Sequence, residues 1–172
     1  MRQDSDTRYD PTTIALHWTT AILVAVLWII GQTADYTPKG SIRTDYWSAH
    51  VVLGFLLAFV LIWRLSWRAF RGRRLPPTDS GPIQLLADAS HWALYGLLAL
   101  VVVLGVCNAF VRSYNLFDLV SLPQVGDTAL RRPINHWHGL AANILLGLAL
   151  AHALAALAHY YVLKDRVLQR MT

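Results

Sequence analysis

The amino-acid sequence predicts an all-α integral membrane protein, a four-helix up-and-down bundle with both termini on the cytoplasmic side. Of its 172 residues, 55% are hydrophobic and only 15% are charged, whereas soluble domains carry about 25% charged residues. Four stretches contain no Asp, Glu, Lys or Arg, and each is near or above the roughly 18–20 residues that cross a hydrocarbon core as a helix. They cover residues 14–34, 46–63, 89–111 and 133–163.

The length predicts one domain, residues 1–172, with helices at about 11–31, 46–67, 84–110 and 134–163. We expect the first helix to be retained, because no small-residue cleavage site follows a short apolar core. Ten Lys and Arg residues lie in the two termini and the second loop, against five in the first and third loops. This bias places both termini in the cytoplasm, so the expected location is the bacterial inner membrane.

The net charge of +5 reflects this loop bias and does not indicate a nucleic-acid partner, because no soluble segment combines basic and aromatic residues. Membrane lipid is the expected surrounding. The single cysteine, Cys107, lies in the third apolar stretch. It cannot form an internal disulfide, and metal motifs that need two sulfur ligands are excluded.

Two histidines of the fourth helix have a spacing that suggests a function. His138 and His152 are fourteen residues apart, a separation that returns to within about 40° of the same helix face and spans roughly 21 Å. His17 begins the first helix, level with His152, and His50 begins the second helix, level with His138. The sequence therefore predicts two histidine pairs at two depths.

Paired neutral imidazoles across an apolar gap are what a bis-histidine haem requires. A zinc or copper site would need three or four ligands at one depth, so the pattern favours two haems, the inner one held by His17 and His152 and the outer one by His50 and His138. The alternative is that these are hydrogen-bonded structural histidines. His91, which opens the third helix, competes with His17 for the inner site.

Two further polar residues lie at the inner depth. Arg64 follows His50 by fourteen residues, on the same face, where a guanidinium would neutralise haem propionates; the alternative is an ordinary positive-inside anchor. His159 follows His152 by seven residues and would offer a proton or a hydrogen bond to a quinone. An interfacial structural role explains His159 equally well.

A series of short motifs covers nearly the whole chain. They are Leu16-His17-Trp18, Pro38-Lys39-Gly40, His50 with Gly54, Arg64-Leu65-Ser66-Trp67-Arg68, His91 with Tyr95, Leu122-Pro123, His138, His152, Ala156-Leu157-Ala158-His159-Tyr160 and the ending Lys164-Asp165-Arg166-Val167-Leu168-Gln169-Arg170-Met171. Each motif alone has little specificity, but their order and spacing are specific. In both, the chain resembles bacterial cytochromes b561 of the four-helix, di-haem type.

This resemblance implies two haem b groups and puts the four ligands on the same histidines as the depth argument. Family members include superoxide oxidase, which passes an electron from superoxide at the outer face through both haems to ubiquinone. The resemblance thus implies a superoxide:ubiquinone oxidoreductase of the respiratory chain. Cations expected at the outer face would attract an anionic donor; they are Lys39, Arg43, Arg112, Arg131 and Arg132.

The chain also departs from the family pattern. Val51-Val52 replaces a Lys-Ser pair that often follows the second-helix histidine, and the loop between helices 3 and 4 is divergent. Donor specificity is therefore open. One rival is a non-catalytic electron-transfer subunit that relays electrons between quinol and a small periplasmic redox partner. The other is a haem-free membrane scaffold or metal carrier.

Overall fold

The computed structural model describes residues 8–77 and 81–172. Its four long helices are α1 (Pro11–Thr33), α2 (Ser41–Phe70), α3 (Gly81–Val111) and α4 (Arg131–Ala158). All four are long and apolar enough to cross a membrane, which confirms the predicted all-α four-helix fold. The predicted domain, 1–172, also includes residues 1–7 and 78–80, which lie outside the described part of the chain.

The helices extend beyond their predicted limits. α2 runs from Ser41 rather than 46 and continues to Phe70, and α4 begins at Arg131 rather than 134. The prediction used the absence of charge, which marks the hydrocarbon crossing, whereas a helix continues into the interface where charged side chains are solvated. α4 continues as a π-helical turn, His159–Leu163.

Each helix packs against its neighbours in the chain, and α4 closes the ring on α1. Consecutive helices are antiparallel, because the start of one contacts the end of the next: Arg64 meets His17, and His91 meets His152. The core of the bundle lies midway along the helices, and large side chains such as Phe59 and Ile62 are exposed on the outside, as expected for surfaces that face lipid. The core residues are Leu16, Leu23, Leu27, Leu57, Val60, Leu61, Leu98 and Leu145.

One end of the bundle, named here the outer end, is covered by the loop between α3 and α4. This loop forms a small antiparallel hairpin of β1 (Asn115–Leu116) and β2 (Val120–Ser121). The fully buried Ser48 of α2 connects the two parts: its hydroxyl accepts a hydrogen bond from the Phe117 backbone N–H at 2.9 Å and donates one to the Thr44 carbonyl at 2.7 Å. The loop thereby fixes the outer start of α2.

At the opposite, inner end, Asp10 joins α1 to the end of α2. Its carboxylate caps α1 by accepting from the Thr13 backbone N–H at 2.9 Å, and it also accepts from the Trp67 indole at 3.0 Å and the Arg73 backbone N–H at 3.1 Å. Burial alone would raise the pKa of Asp10, but these hydrogen bonds, with one from the Thr13 hydroxyl, lower that pKa to about 2.

Candidate functional site

The structure brings together both histidine pairs that the sequence predicts. The ring centroids of His50 and His138 are 6.2 Å apart near the outer end, with planes at 81°. Those of His17 and His152 are 6.4 Å apart near the inner end, with planes at 64°. Each pair joins α4 to a different helix, α2 at the outer end and α1 at the inner end. The leucine-rich core separates the two pairs.

These distances fit one metal ion between each pair of rings. A metal–imidazole bond is about 2 Å long and the nitrogen lies about 1.1 Å from the ring centre, so two imidazoles on one ion have centroids about 6.2 Å apart. Within residues 8–77 and 81–172, no group of three or more His, Cys, Asp or Glu side chains could hold a metal ion. Two imidazoles are the donor set that a bis-histidine haem would use, so the residues present fit that group.

The outer pair adjoins a cavity of about 420 Å³. Two lining glycines leave space for the rings: a Cβ on Gly105 would lie 3.0 Å from His138 Cε1, and one on Gly31 would lie 3.4 Å from His50 Cε1. His138 Nδ1–H donates to the Val101 carbonyl at 3.0 Å. This bond fixes the tautomer and leaves the Nε2 lone pair available for a metal. Backbone of α3 therefore orients the outer histidine of α4.

The inner pair lies beside a cation. The Arg64 guanidinium donates a hydrogen bond to His17 Nδ1 at 3.1 Å, and its Cζ is 5.2 Å from the centre of the Tyr95 ring. Arg64 therefore lies beside the inner histidine pair, at the depth where the sequence places it. Its predicted contact with haem propionates remains a prediction.

His91 also reaches the inner pair. Its ring centroid is 5.3 Å from that of His152, which is shorter than the roughly 6.2 Å expected for two imidazoles on one metal ion. The spacing of His17 and His152 fits shared ligation better. His91 is therefore placed as a side neighbour of His152, on α3.

His159 lies in the π-helical turn after α4, a rare conformation that occurs often at functional sites. Its Nδ1–H donates to the Asp165 carboxylate at 2.5 Å. Burial raises the pKa of Asp165, but the hydrogen bonds from His159 and from the Val167 N–H outweigh it, so the pKa lies below its usual value. The pair leaves His159 Nε2 free of the carboxylate, with the ring held in one orientation.

A second cavity, of about 490 Å³, lies at the outer end. Four of the five predicted outer cations line it, together with Asp118, whereas Arg132 does not. Trp47, Arg112 and Tyr114 line both this cavity and the one beside the outer histidines. The Trp47 ring centre is 5.6 Å from that of His50, so the indole lies where the two cavities adjoin.

Sequence reasoning missed several residues of this site. Gly105 and the Val101 carbonyl were not identified, although a glycine within an apolar helix is a signal for close approach of another side chain. Asp165 was also missed as the partner of His159. No sequence signal identifies the Val101 carbonyl, because every residue carries one.

The fold defines a multi-pass membrane protein, and its histidine rings lie in pairs at two depths. The chain belongs to the prokaryotic cytochrome b561 family, which it matches over residues 8–172. Family membership implies that it is a haem b-binding membrane cytochrome that transfers electrons.

Three curated relatives are similar over almost the full length. A cytochrome b562 of Cereibacter sphaeroides is 32% identical, with 95% of this chain and 94% of the relative covered. A probable superoxide oxidase, CybB, of Yersinia pestis is 28% identical, with 95% of each chain covered. Cytochrome b561 homolog 1 of Escherichia coli strain K12 is also 28% identical, with 95% and 96% covered.

Proposed function

We propose that this cytochrome holds two haem b groups and carries electrons from superoxide at the periplasmic face to ubiquinone in the bacterial inner membrane. His50 and His138 would hold the outer haem, and His17 and His152 the inner haem. The observation that carries this proposal is the pair of ring separations, 6.2 and 6.4 Å. The similarity to a probable superoxide oxidase supports the choice of donor.

The protein's own contribution at each pair is to hold the imidazoles apart and in orientation. When bound, the haems supply one-electron redox couples. Gly31 and Gly105 leave room beside the outer rings, and the Val101 carbonyl fixes the His138 tautomer. Arg64 is expected to pair with inner haem propionates. The core between the pairs is apolar, a lining that would disfavour the passage of ions and polar solutes.

Electron entry is proposed at the cationic outer cavity. Lys39, Arg43, Arg112 and Arg131 line it, and a concentration of positive charge attracts an anionic donor such as superoxide. Trp47 stands between this cavity and His50. This arrangement requires the outer end to face the periplasm and both termini to face the cytoplasm, in agreement with the charge distribution of the loops.

Electron exit is proposed at the inner end, where ubiquinone would accept two electrons and two protons. His159 follows His152 by seven residues, and its ring is oriented by the hydrogen bond to Asp165. When the imidazole is protonated on both nitrogens, its Nε2–H would donate a hydrogen bond or a proton to a quinone oxygen. The overall reaction balances as two superoxide anions, one ubiquinone and two protons giving two dioxygen molecules and one ubiquinol.

The decisive experiment mixes detergent-purified protein of known haem content with superoxide and a soluble ubiquinone. We expect two b-type haems per chain, their rapid reduction by superoxide in stopped-flow spectra, and superoxide-dependent ubiquinol formation. Absence of a reducible b-type spectrum would overturn the proposal entirely. Haems that superoxide leaves oxidised, together with a stoichiometric c-type cytochrome or dehydrogenase that co-purifies, would instead establish the electron-transfer subunit.

Charge steering gives a separate test of the entry site. Because Lys39 and Arg112 are exposed to solvent, salt should screen them. The rate constant with superoxide should therefore fall several-fold as ionic strength rises from about 0.01 to 0.15 M. Lys39→Gln should weaken this salt dependence, whereas Arg132→Gln, at a cation outside the cavity, is the matched control. A rate independent of salt would remove this role of the cavity.

A further inference from the structure

Arg64 makes the two histidine pairs electrostatically unequal. Its guanidinium lies 3.1 Å from His17 Nδ1, and it acts electrostatically on His152 as well. Arg64 is only partly exposed, and His17 and His152 are half-buried, so screening of its charge by water is limited. The inner pair therefore has a fixed positive charge directly beside one ring.

The outer pair has a different neighbour. His138 donates its Nδ1–H to a backbone carbonyl, an interaction that increases the basicity of the imidazole. Among the described residues, no Arg, Lys, Asp or Glu side chain is hydrogen-bonded to His50 or His138. Arg112 and Asp35 line the adjoining cavity, but their charges are opposite in sign.

We propose that Arg64 sets the direction of electron transfer by making the inner site a better electron acceptor than the outer site. This inference rests on the proposed two-haem arrangement. Transfer of one electron from the outer to the inner site oxidises the outer site and reduces the inner site. The positive charge at the inner site therefore falls by one. A nearby cation stabilises the state with less positive charge, whereas a more basic imidazole favours the oxidised state at the outer site.

The positive charge of Arg64 acts through space, so the proposal needs only its proximity to the His17 ring and not the hydrogen bond itself. Arg64 is a positioning residue in this sense: it acts through the site and not on a substrate. Arg68 offers a matched comparison, because its Cζ lies 5.8 Å from the Tyr95 ring centre, close to the 5.2 Å of Arg64. Arg68 has no hydrogen bond to either inner ligand, and it is exposed.

The test is an optical redox titration of the purified holoprotein and its variants. In Arg64→Gln, we expect the equilibrium constant for electron transfer from outer to inner site to fall about tenfold, which is about 59 mV for one electron. Arg64→Lys keeps the charge and should change it less than threefold, as should Arg68→Gln. His50→Ala and His152→Ala, which each should keep one haem, assign the shifted potential to the inner site.

Should Arg64→Gln fail to retain the inner haem, Tyr95→Glu tests the same charge, because it places a carboxylate beside Arg64 without removing the guanidinium. It should shift the equilibrium in the same direction. Unchanged potentials in Arg64→Gln, or in Tyr95→Glu where that variant is needed, would overturn the proposal, and so would an equal shift in Arg68→Gln. A shift without superoxide activity would retain the proposal and refute only the assigned donor.

Discussion

The two histidine pairs have nearly the same ring separation but different surroundings. The outer pair lies beside a cavity, with glycines against both rings and a backbone carbonyl on His138. The inner pair lies beside Arg64 and a third histidine, His91. Similar ring separations are expected if both pairs bind the same kind of group. The different neighbours give each pair its own electrostatic environment. The comparison shows that one bundle can repeat a binding geometry and vary its chemistry.

The largest expected effect is the loss of one site at a time. His138→Ala and His152→Ala should each lower the haem content from two to about one per chain, because one imidazole cannot hold the group as two do. Pyridine haemochrome quantification and the reduced visible spectrum measure this. His136→Ala, next to the outer ligand in sequence but exposed, is the control and should retain both haems.

His91→Ala sharpens the same comparison at the inner pair. It should retain two haems, since the 5.3 Å separation from His152 is too short for shared ligation. If His91→Ala removed a haem and His17→Ala did not, the inner pair would be assigned wrongly.

A smaller effect is expected from adding a methyl group at the outer pair. In Gly105→Ala, the new Cβ would lie 3.0 Å from His138 Cε1, and the bond to the Val101 carbonyl resists rotation of the ring. Overpacking of this kind costs about 1–3 kcal/mol, so the outer haem should dissociate at a lower temperature. Thermal haem release followed at the Soret band measures the effect.

Gly31→Ala is the matched variant on the other side of the outer pair. Its Cβ would lie 3.4 Å from His50 Cε1, so the temperature of haem release should fall clearly less than in Gly105→Ala. An equal decrease in the haem-release temperature of both variants would show that contact distance does not govern retention of the outer haem.

The smallest effect concerns Asp10, which joins helices only at the inner end. Because its pKa is about 2 in the folded protein against 3.8 normally, its ionised form contributes stability in full above about pH 4, and that contribution is lost as pH falls through 2. Asp10→Ala should cost about 1 kcal/mol at pH 6 through loss of the cap. The difference in thermal midpoint from the wild type should shrink at pH 2–3.

Asp10→Asn separates the charge from the cap, because asparagine caps helices about as well as aspartate. At pH 6 this variant should have a thermal midpoint close to that of the wild type. Between pH 6 and pH 2 its midpoint should lack the decrease that protonation of Asp10 causes in the wild type. A difference between wild type and Asp10→Ala that stays constant from pH 6 to pH 2 would contradict the assigned pKa.

The crossings and the ligand candidates could be predicted from the sequence, because both depend on short-range periodicity. A charge-free stretch of about 20 residues has few alternatives to a membrane helix, and fourteen residues along a helix return His152 to the face of His138. The helix ends could not be predicted from the same signal. Ser41 and Arg131 begin helices in the interface, where charged residues no longer mark a boundary.

The sequence by itself determined four apolar helices, two depths and the histidines at each depth, since all of these follow from distance along one helix. Only the tertiary structure decided which atoms touch across helices. The carbonyl of Val101 at His138, Gly105 beside that ring and Arg64 at His17 depend on how helices rotate and approach one another. Those relations arise from packing between segments far apart in the chain, which no local pattern records.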